Sequence, residues 1–108
     1  MTTTLKNYLT SNVGTSSTTI YNPTTAGIQA TVIGLTLANT TTLPVNASVT
    51  ITSGATTVFI VKNTAVPAGN SLSVLGDGKF IVEQNDVVQV ISSAANSIDV
   101  VLSTVEVV

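Results

Sequence analysis

Residues Ala47–Val61 read ASVTITSGATTVFIV. Across Ala47–Thr52, Val49 and Ile51 alternate with Ser48, Thr50 and Thr52, the period-two pattern of a strand with one apolar and one polar face. Ser53-Gly54 interrupts that pattern, and Thr56–Val61 resumes it in β-branched and aromatic residues. Two such runs across a short Gly-containing break form a hairpin, and the rest of the chain is read outward from it.

Upstream, Thr18–Tyr21 is a short β-branched stretch closed by the turn pair Asn22-Pro23. Gln29–Asn39 contains TVIGLTLAN, which places Thr31, Ile33, Leu35 and Leu37 on one face and Val32, Gly34, Thr36 and Ala38 on the other. Gly34 marks a candidate bulge. Downstream, Val66-Pro67-Ala68-Gly69-Asn70 is turn chemistry leading into Leu72 and Val74, and Gly76-Asp77-Gly78 joins that stretch to Phe80–Val82 at hairpin spacing. After a corner at Gln84-Asn85-Asp86 come Val87–Ile91 and Ile98–Val107. The last is apolar on both faces, hence central or doubly covered.

Thr, Val and Ile supply 45 of the 108 residues, and such side chains pack well on a pleated surface. The expected fold is all-β: one antiparallel β-sandwich of seven or eight strands, jelly-roll or immunoglobulin-like, over residues 18–108. Residues 1–17 are expected as an N-terminal arm or an edge strand.

Composition excludes most chemistry. With no His, Cys or Arg, the Ser and Thr hydroxyls have no obvious base and no thiolate site exists, so neither catalysis nor a cofactor is expected. Three Lys and a net charge of −2 give no basis for gripping phosphates, which argues against a nucleic-acid partner. The longest apolar run is Val58–Val61, far below the roughly 20 residues of a membrane-spanning helix, and no Sec-type signal core can be drawn; no membrane partner is expected. Asp77, Glu83 and Asp86 are the acidic residues closest in sequence, but their spacing matches no calcium loop, and they read as turn formers, not metal ligands. The acceptor patterns at Asn39 and Asn46 read as loop residues.

Scarce charge has a second implication. Only 7% of residues are charged, and three Lys with three Pro must guard every sheet edge, so neighbouring subunits are expected to cover the edges, as a homotrimer. The expected partner-binding residues are Leu5, Tyr8, Leu9 and Val13 of the N-terminal segment, together with Tyr21. Phe59 and Phe80 are expected in the core.

Four stretches carry a family likeness: TTTLKN (Thr2–Asn7), TVIGLTLANTT (Thr31–Thr41), FIVKNTAVPAGNSL (Phe59–Leu72) and VVQVISSAANSIDVVLSTVEV (Val87–Val107). They resemble small virion structural proteins of tailed bacteriophages, especially cyanophages. The resemblance implies a capsid decoration (cement) protein on the virion surface, assembled in the host cytoplasm, that binds the major capsid protein and stabilises its lattice. A tail, neck or fibre component is the alternative, and a carbohydrate-binding β-sandwich a more remote one. No catalytic or ligand residues come with the resemblance. Where it implies an acidic-Gly-Asp corner, this chain has Glu83-Gln84-Asn85-Asp86, and Asn85 tolerates the positive φ such a corner needs.

Overall fold

A computed structural model describes residues 1–76 and 78–108, and it contains nine strands and no helix among them. They are β1 (Thr3–Val13), β2 (Thr18–Tyr21), β3 (Gln29–Asn39), β4 (Val45–Ser53), β5 (Thr56–Val66), β6 (Ser71–Ser73), β7 (Phe80–Glu83), β8 (Val87–Ser92) and β9 (Ile98–Val107). One sheet runs β1-β9-β3, with β6 and β7 both paired to the far edge of β3; the other runs β2-β8-β4-β5. All pairings are antiparallel. Counting β6 and β7 as one interrupted strand, this is the two-Greek-key order of a jelly roll.

The inner faces interdigitate. Val32, Leu35 and Leu37 of β3 and Ile98, Val100 and Leu102 of β9 meet Ala47 and Val49 of β4 and Val88 and Val90 of β8, all almost free of solvent. Burying a Val, Leu or Ile side chain contributes about 1.5–3 kcal/mol, so these aliphatic residues together supply the main driving force for folding.

The expected hairpin is present: Thr52 pairs Thr57 and Ser53 pairs Thr56, with Gly54 at φ 61° in the turn. The Asn85 corner also forms as expected, at φ 69°, closed by Asp86 N–H donating to the Glu83 carbonyl at 3.0 Å. Three local readings are corrected. A bulge between Val32 and Gly34 shifts β3 by one residue, so Val32 joins Leu35 and Leu37 inside while Ile33 turns outward; an inserted residue inverts the alternation on one side of itself. β6 and β7 do not pair with each other as a hairpin, because β3 offers both an edge. Phe59 is 52% exposed instead of core, since β5 is an edge strand and its outer half has nothing to pack on. Phe80 does pack against the core.

Residues 3–13 take the edge-strand alternative. β1 pairs with β9 without interruption from Thr3–Val107 to Thr10–Val100, and the ladder shifts only near Asn12, at φ 60°. The Asn12 N–H donates to Asp99 Oδ1 at 3.0 Å and pins that bulge. β9 is central, as expected, but this chain covers only one of its faces: Val101 on the other is exposed.

Candidate functional site

Two features of the jelly roll are not explained by its own stability. The first is a pair of long open edges. β1 lies against β2 and β8, whereas β5 lies against β3, which puts these two 11-residue strands on opposite flanks of the sandwich. Each has one strand neighbour, so one full row of backbone N–H and C=O groups on each is free for pairing. β1 is guarded by a single charge, Lys6. β5 is guarded by Lys62, whose Nζ sits 5.1 Å over the Phe59 ring, and by a bulge at Asn63, whose N–H donates to Ser48 Oγ at 2.9 Å.

The outer face of the β1-β9-β3 sheet extends the first flank. The register places Leu5 beside Val105, Val105 beside Thr31, and Thr31 beside Ile81, and a parallel row sets Leu9 beside Val101. Leu5 is 74% and Leu9 71% exposed, and Ile33, Ile81 and Val101 are exposed as well. A face of this apolar character, with Asp99 and Glu83 as its charges, suits contact with other protein.

The second feature is a buried carboxylate. Along β9 the inward row runs Ile98, Val100, Leu102, Thr104, Glu106, so the core ends on two polar residues, both buried. Glu106 Oε2 accepts hydrogen bonds from the Tyr8 hydroxyl and the Tyr21 hydroxyl, each at 2.5 Å. The two rings lie 4.8 Å apart between centroids, tilted by 41°. Lys6 Nζ stands 5.7 Å from the Tyr8 ring centroid, and Lys6, Tyr8, Tyr21, Thr24 and Glu106 help to line a cavity of about 450 Å³. Burial, followed by the bond to Glu106 and its negative charge, pushes the Tyr8 phenol up to about 12; the same causes push Tyr21 higher still. Both phenols are therefore firm donors at neutral pH, as a buried carboxylate requires. The cluster joins β1 to β2 and β9 at the open flank.

The five expected partner-binding residues separate. Leu5 and Leu9 point outward from β1 and are available. Tyr8 is half-buried, with its hydroxyl held by Glu106. Val13, 1% exposed, and Tyr21, 4% exposed, belong to the chain's own core. Glu106 escaped the sequence reading although its signal was there: it stands in phase with Ile98, Val100 and Leu102, and a carboxylate on the inward phase of a strand needs partners. Asn39 is likewise structural, not a surface loop residue. It is buried, and its amide donates to the Leu43 and Val66 carbonyls while its Oδ1 accepts from Thr41 N–H.

Of the acidic residues considered for a metal, Asp77 lies outside the described residues. Asp86 is buried and accepts the Glu83 N–H at 2.9 Å, a turn role, and no group of three metal-ligating side chains occurs among the described residues.

The arrangement defines a β-sandwich with an open flank, and comparison adds one solved relative in fold. No family model and no curated protein matches the chain. A solved structure from Bacillus endospore appendages, described as a novel family of disulfide-linked pili, matches with a TM-score of 0.57 and 22% identity over 97% of this chain and 87% of that one. This finding corrects the capsid-decoration expectation: the solved structure that shares the fold is described as a pilus and not as a phage head protein. Of the stretches that carry the phage resemblance, LTLAN forms the inward alternation at the end of β3 and VPAG the turn that follows β5. The disulfide linkage of that structure has no counterpart here, because this chain has no cysteine.

Proposed function

We propose that this chain is a structural subunit of a proteinaceous appendage, a non-catalytic building block that joins copies of itself into a fibre. The observation that carries the reading is the placement of two long, lightly guarded edge strands, β1 and β5, on opposite flanks. Contact between unlike flanks is heterologous, and unless the rotation between copies closes a ring it propagates as an open filament. The β1 flank of one copy meets the β5 flank of the next, adding backbone hydrogen bonds between edges while Leu5 and Leu9 lose their exposure to water. The fold likeness to a pilus subunit supports the same reading.

The test is a concentration series of the purified chain followed by light scattering and electron microscopy. The expected result is unbranched filaments, or a ladder of linear oligomers, above a threshold concentration. A chain that stays monomeric at high concentration, or stops at a closed oligomer of fixed size, overturns the proposal.

A further inference from the structure

Tyr8 and Tyr21 are placed for a reaction that this cysteine-free chain is otherwise without: a covalent link between its two sheets. The geometry points to Tyr8–Tyr21 as a site of oxidative coupling to an intrachain dityrosine, with Glu106 as the proton acceptor. Three observations carry it. The ring centroids are 4.8 Å apart, and the 41° tilt brings the rings together without a parallel stack. Both hydroxyls converge on one oxygen, Glu106 Oε2, each at 2.5 Å, so the ring carbons beside the two hydroxyls are neighbours. Both rings line the same open cavity, Tyr8 half-buried and Tyr21 only 4% exposed; electrons leave through the more accessible Tyr8, and burial shields Tyr21 from competing reactions.

The chemistry balances with hydrogen peroxide acting through a peroxidase as the oxidant. Each phenol gives up one electron to the oxidant and one proton, by way of Glu106 Oε2, to the water of the cavity. The two phenoxyl radicals join through a new carbon–carbon bond between the positions ortho to the hydroxyls. The two ring hydrogens at those carbons then shift to oxygen and restore both phenols. Two phenols and one peroxide give one dityrosine and two waters. A carboxylate already hydrogen-bonded to both phenols takes each proton as the electron departs, which avoids a buried phenol cation.

The link ties β1, the edge strand of one sheet, to β2, the edge strand of the other. Without it, β1 is held to the rest of the sandwich mainly by its ladder to β9. The consequence is a subunit whose N-terminal strand cannot peel away under load.

The experiment treats dilute, folded protein with peroxidase and hydrogen peroxide and reads intact mass, dityrosine fluorescence and peptide mapping. The expected product is a monomer lighter by two hydrogen atoms, blue-emitting, with the peptides of Tyr8 and Tyr21 joined. Tyr8→Phe and Tyr21→Phe each abolish that product, and since both keep their ring, circular dichroism confirms that they fold. In urea the intrachain link falls to background. Coupling only between chains overturns the inference, as does absence of coupling while free tyrosine in the same mixture reacts. Neither outcome depends on whether the chain forms fibres.

Discussion

Glu106→Ala tests the buried cluster most directly. The substitution removes the acceptor of two charge-assisted hydrogen bonds and leaves two phenol donors behind. Tyr21 is buried, and a buried donor without a partner costs about 1–3 kcal/mol, so about 2 kcal/mol is assigned to it. Tyr8 is half-buried beside a cavity and recovers water, so its share is about 1 kcal/mol. The total is about 3 kcal/mol, a fall of about 15 °C in Tm for a domain of this size. Burying a carboxylate is itself unfavourable, and a buried polar group is often replaceable by apolar residues of similar shape. The triple variant Glu106→Leu, Tyr8→Phe, Tyr21→Phe should therefore recover most of the loss, because no donor is left orphaned. Urea denaturation followed by circular dichroism, at constant m, measures both variants. A single variant that loses under about 1 kcal/mol, or a triple variant as weak as the single, refutes the account of a charge held in place by its two partners.

Stability should also fall at alkaline pH. The Tyr8 phenol is raised from 10.0 to about 12 in the folded chain, so its contribution is complete below pH 10 and disappears as pH rises toward 12; urea midpoints across that interval read the decline, and a flat profile argues against it. Leu5→Ser with Leu9→Ser should leave folding nearly unchanged, since both side chains are exposed, yet raise the concentration needed for assembly by about 100-fold, from about 1.5 kcal/mol of lost burial per residue. Light scattering measures that shift, and an unchanged threshold rules this face out of the contact. Asn39→Ala should destabilise by about 2 kcal/mol, because the Leu43 and Val66 carbonyls lose their donor; hydrogen exchange should show the loop from Thr40 to Leu43 opening first, and equal protection in the variant would mean the amide is dispensable.

Local pattern was enough for the fold class. The Ser53-Gly54 break and the Asn85 corner depend on neighbours within a few residues, and each appears in the structure where the sequence placed it. The same locality explains the failures. One inserted residue at Ile33 inverts the faces of β3, and alternation alone does not reveal which of two phases carries the insertion. That β6 and β7 share β3, that β5 is an edge exposing Phe59, and that Val13 and Tyr21 are core while Leu5 and Leu9 are not, all follow from which strands become neighbours. The tyrosine–glutamate cluster joins residues 85 and 98 positions apart in the chain. Composition determined that the chain would be a sheet protein poor in charge and without His, Cys or Arg chemistry; the pairing of distant strands decided which edges stay open, because strand partners are chosen by burial of whole faces and not by any residue's own preference.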